Sequence, residues 1–177
     1  MNDHINLFSL NVGTSSSLAG LQALIDTENL DLVFLQEVRL STEQIESLIV
    51  GFHAVANIDP DHSSRPGTAL VWKKGLPVTD IIPLVNCRMQ VARLGSLNLI
   101  NIYAPSGSDR KAERGRFYGE DVFQAIQLWG PQGIGLLCGD FNAVINQDDI
   151  EGGIGFAQKK CVNLENLIHF AGLLDSF

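Results

Sequence analysis

Four short apolar runs spread along the chain each close on a polar side chain, and this recurrence restricts the fold more than any other feature. Leu136-Leu137-Cys138-Gly139 runs into Asp140, followed two residues later by Asn142. Ser9-Leu10-Asn11-Val12 ends a first run on an amide, and Leu32-Val33-Phe34-Leu35-Gln36-Glu37 ends a second on a carboxylate. Asn101-Ile102-Tyr103 ends a third on a phenol, before Ala104-Pro105-Ser106-Gly107 breaks it. Sheets that present functional groups at their strand ends are a common way to build a site. Residues i and i+2 of an extended segment point the same way, so Asp140 and Asn142 are expected to converge. A carboxylate can orient or deprotonate a water, and an amide can bind a phosphate oxygen or hold that carboxylate. The alternative is a plain turn, where Gly-Asp and Asn also occur.

The periodicities between these runs alternate strands with helices. Residues 5–10 read as a strand. Ser15 to Ser17 can cap a helix whose Leu18, Leu21 and Ile25 share a face. Residues 32–35 form a continuous apolar run, as a strand buried on both faces would. Ser41 and Gln44 form a capping box before Ile45, Leu48 and Ile49. Residues 54–58 are a short strand candidate and 59–67 a polar loop. Residues 69–72, 81–85, 89–94 and 97–103 read as successive strands, with Lys73-Lys74-Gly75 and Gly95-Ser96 as turn signals. A long helix is expected over 109–129, with Val122, Ile126 and Trp129 inward. A strand over 134–138 follows, then a Gly-rich surface loop over 147–160. Leu164, Leu167, Ile168, Ala171 and Leu174 define a last amphipathic helix. Early strands separated by helices, then a run of adjacent strands, suit a layered α/β sandwich.

A chain of 177 residues is expected to form one domain spanning 1–177. Its 45% hydrophobic and 18% charged content is that of a globular protein. No apolar run is long enough to cross a bilayer, so no membrane partner is expected. Asn2-Asp3-His4 gives neither a basic start nor an apolar stretch of a secretory signal, so an intracellular chain, nuclear or cytoplasmic, is expected. Cys87, Cys138 and Cys161 are odd in number and form no C-x-x-C pair, so they read as free, buried thiols in a reducing compartment. The net charge of −8 argues against a simple electrostatic DNA binder. Carboxylates that hold a divalent cation offset part of that objection. Arg110, Lys111, Arg114 and Arg116 also cluster after the Tyr103 segment, where they suit a polyanion. Equally, they form a solvated helix face with Asp109 and Glu113.

Ser-Leu-Asn-Val, Leu-Gln-Glu-Val, Asn-Ile-Tyr-Ala-Pro-Ser-Gly and Gly-Asp-Phe-Asn-Ala-Val, in that order and at that spacing, resemble the endonuclease/exonuclease/phosphatase superfamily. The resemblance runs from Ile5 to Phe177 and rests on the ordered set, since each motif alone is weak. Arg65-Pro66-Gly67-Thr68-Ala69 ahead of a Leu70-Val71-Trp72 strand is most similar to the endonuclease domain of non-long-terminal-repeat (LINE-type) retrotransposons. The resemblance implies a four-layer αββα sandwich like deoxyribonuclease I, with two sheets face to face and helices outside. It implies Mg²⁺, with Mn²⁺ as an alternative, and DNA as the substrate. In such elements a reverse-transcriptase domain lies downstream.

The resemblance also implies roles. Glu37 is the metal ligand, with a surface carboxylate paired to Arg39 as the alternative. Asn11 is the amide beside the metal and substrate, or a strand-ending Asn in a turn. Tyr103 contacts the scissile phosphate, or only packs the core. Asp140 positions the attacking water, and Asn142 binds phosphate beside it. The Thr68 hydroxyl reaches the nucleic-acid backbone or supports a β-turn, and Arg110 binds substrate. Histidines 53 and 169 and the acidic run Asp148, Asp149 and Glu151 read as packing or solvated surface.

The family pattern continues to an Asp-bearing strand and a Ser-Asp-His motif that this chain does not contain. The expectation is therefore a fold incomplete at its C-terminus, with an exposed sheet edge, uncovered central strands and marginal stability. The functional expectation is a phosphodiester-cleaving endonuclease by descent, with little or no activity as this chain. The alternatives are another phosphoesterase of the superfamily, acting on an inositol or lipid phosphate, or a non-catalytic interaction module.

Overall fold

The computed structural model describes residues 4–13, 20–62, 65–129, 133–150 and 155–174. They fall into two compact units: Met1–Tyr103 with Leu136–Asp140, and Ala104–Gly135 with Phe141–Phe177.

The first unit is α/β. Strands β1 (Leu7–Asn11), β2 (Leu32–Val38), β3 (Phe52–Asn57) and β4 (Gly67–Lys73) form one sheet in the order β1-β2-β4-β3. Strands β5 (Val78–Leu84), β6 (Met89–Leu94), β7 (Leu97–Tyr103) and β8 (Leu136–Asp140) form a second, in that order. Both sheets are mixed. β1 runs parallel to β2 and β7 parallel to β8, and the remaining pairs are antiparallel. Parallel neighbours need a crossover, which helix α1 (Leu21–Glu28) supplies between β1 and β2.

The apolar run of β2 serves two cores. Leu32 and Phe34 join Leu70, Trp72, Ala92, Leu94 and Leu99 in the layer between the sheets. Val33 and Leu35 point the other way, to Leu21 and Ile25 of α1 and Ile45 of α2 (Thr42–Leu48). Residues 32–35 of β2 and Leu99, Ile100 and Ile102 of β7 are at most 2% exposed, so the central strands are not left uncovered as expected. Helix α2 starts as predicted, with Gln44 N donating to Ser41 Oγ at 3.3 Å and Ser41 N to Gln44 Oε1 at 2.8 Å. The cap read at Ser15 to Ser17 lies outside the described residues, and α1 begins from Gly20 without a side-chain cap.

Polar side chains tie the sheets together where the pattern promised only apolar packing. Gln36 follows Leu32 and Phe34 on the inward face of β2. Its Nε2 donates to Asn101 Oδ1 at 2.8 Å, and Asn101 Nδ2 donates to the carbonyls of Leu35 and Ala69, both at 3.1 Å. Asn57 Nδ2 reaches Met89 O at 2.8 Å, and Gln90 Nε2 reaches Val55 O at 2.9 Å.

The second unit carries the expected long helix in three parts. These are α3 (Lys111–Arg116), a π-helical stretch (Phe117–Val122) and α4 (Phe123–Trp129). The predicted loop holds a 3₁₀ turn (Gln147–Asp149) and a short helix α5 (Phe156–Lys159). Helix α6 (Val162–Ala171) stops at a left-handed Gly172. Leu174, expected on its apolar face, lies past that stop and is 94% exposed. Among the described residues no helix is long and apolar enough to cross a membrane.

Candidate active site

Parallel pairing brings strand C-termini together two by two. Asn11 stands opposite Gln36 in the β1–β2 register, one residue before Glu37, and Tyr103 stands opposite Asp140 in β7–β8. Face-to-face packing then joins the two pairs. Asn11 Nδ2 donates to Glu37 Oε1 at 3.1 Å and to Asp140 Oδ2 at 2.7 Å. The Tyr103 hydroxyl donates to the same Glu37 Oε1 at 3.3 Å. Four residues from four strands thus converge on one spot, although Asn11 and Asp140 are 129 positions apart.

Local backbone devices aim these side chains. Glu37 interrupts the β2–β4 ladder as a bulge and has φ of 60°, a left-handed conformation uncommon for a glutamate. The bulge turns its carboxylate to the strand end while Gln36 and Val38 on either side stay buried. The alternative partner for Glu37 is otherwise engaged: Arg39 Nη1 donates to the Gly13 carbonyl at 2.9 Å. Before Asp140, Gly139 has φ of +133°, and a Cβ there would lie 2.0 Å from the Ile102 carbonyl oxygen. Only glycine lets β8 approach β7 this closely and so deliver Asp140 beside Tyr103.

Two carboxylates sharing one amide NH₂ make a negative, oxygen-rich cluster. The donor set suits a hard divalent cation, which takes one or two carboxylates, neutral oxygens and water. The Asn11 amide oxygen accepts from Gly13 N at 2.9 Å, which fixes the orientation of the amide. Among the described residues no group of three or more His, Cys, Asp or Glu side chains is gathered for a metal.

The other predicted residues are placed as follows. Asn142 belongs to the second unit, where it has φ of 46° and its Nδ2 donates to Ala104 O at 3.0 Å. Thr68 is fully buried, with its hydroxyl directed to the Cys87 carbonyl at 3.4 Å, the turn-supporting alternative. Arg110 is engaged by Glu113 through two bonds of 2.6 and 2.7 Å. In the same basic run Arg114 is buried and donates to the carbonyls of Pro105 and Gly107. Lys111 Nζ donates to Ala157 O at 2.6 Å. His53 lies 3.6 Å from Glu46 and His62 2.9 Å from Asp59, both surface pairings. Cys138 packs against the inter-sheet core, where burial pushes its thiol far above the ordinary range.

Sequence reasoning passed over Gln36, Asn101 and Arg88. The first two carried a signal, a polar residue at an inward position of an alternating strand. Arg88 sits in a turn and carried none.

Comparison with known proteins agrees with this fold. A family model described as Endonuclease/Exonuclease/phosphatase family matches residues 6–153. No curated protein matches the chain. Among solved structures, an AP endonuclease from Archaeoglobus fulgidus superposes with a TM-score of 0.71 at 16% identity, covering 94% of this chain and 69% of that one. Humanized D. rerio TDP2 gives 0.59 at 19% identity, over 97% of this chain and 68% of that one. The human Nocturnin catalytic domain gives 0.60 at 18% identity, over 81% and 67%. The chain spans about half, 49%, of one TDP2 structure from Caenorhabditis elegans. At these identities the structures speak for the fold.

Proposed function

The chain belongs to the endonuclease/exonuclease/phosphatase family, and from that premise we propose that it carries a divalent-cation-dependent phosphodiesterase site acting on DNA. The observation that supports this is the meeting of Asn11, Glu37, Tyr103 and Asp140 at four strand ends. Glu37 and Asn11 would hold Mg²⁺ or Mn²⁺. When bound, such an ion polarises a phosphate and offsets its charge. Asp140 orients a water for in-line attack and accepts its proton. The Tyr103 hydroxyl donates to a phosphate oxygen as charge develops there. The phosphate-binding role of Asn142 rests on the Gly-Asp-Phe-Asn motif.

Kinship to LINE-type elements is the finer part of the proposal. It is supported by Arg65-Pro66-Gly67-Thr68-Ala69 opening β4, and a reverse-transcriptase partner and a nuclear or cytoplasmic setting go with it. A second reading is a smaller phosphoester such as an inositol phosphate, which asks for fewer phosphate contacts than a DNA duplex. The net charge is −8, and Arg110 and Arg114 in the basic run are satisfied internally.

Supercoiled plasmid incubated with Mg²⁺ tests the proposal. Slow nicking is expected that chelation abolishes and that Asp140→Asn or Glu37→Gln lowers by about a hundredfold or more. Equal nicking by wild type and Asp140→Asn would overturn it. Inert plasmid beside hydrolysed inositol phosphate would select the second reading.

A further inference from the structure

We propose that Arg88 is a positioning residue for Tyr103, which deepens the phosphodiesterase reading above and rests on it. Arg88 holds Tyr103 at three points. Its guanidinium carbon lies 5.0 Å from the centre of the Tyr103 ring, a cation–π contact. Its Nη1 donates to the Tyr103 carbonyl at 3.2 Å. Its own carbonyl accepts from Tyr103 N at 2.8 Å. The ring is therefore gripped on its face and at its backbone, while its far end donates to Glu37 Oε1. A tyrosine ring torsion is otherwise broad. A charged plane on the ring face narrows it and keeps the hydroxyl at the carboxylate.

The turn that presents Arg88 is itself strained. Val85, Asn86 and Cys87 are consecutive left-handed residues, with φ of 44°, 46° and 67°. A β-branched valine there is a genuine outlier, and such strain persists only where the surroundings fix it. Asn57 Nδ2 fixes both flanks, donating to Leu84 O at 3.3 Å and Met89 O at 2.8 Å. Thr68 Oγ1 holds the middle through Cys87 O, and Arg88 N closes on Val85 O at 2.8 Å. Thr68 and Asn57 thus support the site indirectly, by holding the turn from which Arg88 reaches Tyr103. The outlier leads to a functional account because the residue leaving the turn is the one that clamps the site phenol.

The test combines rate measurements on a fluorescent DNA duplex with Mg²⁺ and resonances of the Tyr103 ring, one of two tyrosines in the chain. Arg88→Met lowers kcat about tenfold, a barrier increase of about 1.4 kcal/mol, and leaves KM within about twofold. Arg88→Lys, which keeps the cation without the planar fork, falls between. On a Tyr103→Phe background, which keeps the ring and deletes the hydroxyl, Arg88→Met costs little more, because both changes act through one group. The Tyr103 ring resonances move in Arg88→Met and move less in Arg88→Lys. A full tenfold loss on the Tyr103→Phe background would mark a general structural role and overturn the proposal. A raised KM with unchanged kcat would mark a direct substrate contact and overturn it equally. If the wild type leaves DNA intact, the phosphodiesterase reading fails, and the ring resonances still decide the positioning claim. If Arg88→Met does not fold, the Arg88→Lys shift and rate decide it.

Discussion

Glu37 shows what one residue contributes to this site and what it costs the fold. Its left-handed backbone is sterically disfavoured, by roughly 1–3 kcal/mol, and its charge lies beside Asp140 through the shared Asn11 amide. Glu37→Gly removes both burdens, offset by the extra chain entropy of glycine. We expect a denaturation midpoint higher by about 1 kcal/mol of stability together with loss of cation binding. A destabilised Glu37→Gly would show that the bulge does not carry strain. The thiols give a second residue-scale expectation. Burial raises Cys138 far above its ordinary value and Cys87 above its own, the latter with a contribution from the Asp59 charge. Thiolate is the reactive form, so native protein should be alkylated at Cys87 well before Cys138. Mass spectrometry of the labelled peptides would read the order, and a Cys138 labelled first would contradict this burial.

The elements of the fold were legible in the sequence where periodicity decided them. Residues 89–94 and 97–103 were read with the bounds observed, and the Ser41 box caps α2 as expected. The inter-sheet amides did leave a mark, a polar residue at an inward position, but periodicity alone reads that mark as an error in the alternation. Asn101 shows their weight. Its amide satisfies two buried carbonyls and the Gln36 side chain, and each group left unpaired costs about 1–3 kcal/mol. Asn101→Leu is therefore expected to destabilise by about 2–4 kcal/mol in chemical denaturation. Adding Gln36→Leu should restore part of that, since two apolar partners leave fewer orphaned groups than one. Simple additivity of the two losses would argue against a coupled network. Gly139→Ala should cost about 3 kcal/mol or more, because its Cβ would enter the β7 backbone at Ile102.

At the scale of the whole chain, the four motif-bearing strand ends were legible because each motif stops an apolar run, and the structure joins Asn11, Glu37, Tyr103 and Asp140 by hydrogen bonds. Arg88 was illegible because its partner is a ring fifteen residues away, at the end of β7. The central strands are covered, yet Leu7 and Phe8 on β1 stay 40% and 37% exposed at the end of their sheet. An exposed apolar edge strand templates association. Phe8→Lys should lower concentration-dependent light scattering while changing stability by no more than about 1 kcal/mol. Unchanged scattering would place the association elsewhere. The central claim, a divalent cation held where four strands meet, is tested most directly by Mn²⁺ relaxation of backbone amide resonances. The account predicts selective broadening at Asn11, Gly13, Glu37 and Asp140, lost in Glu37→Gln. Broadening centred on Asp148 and Asp149, or none at all, would contradict it.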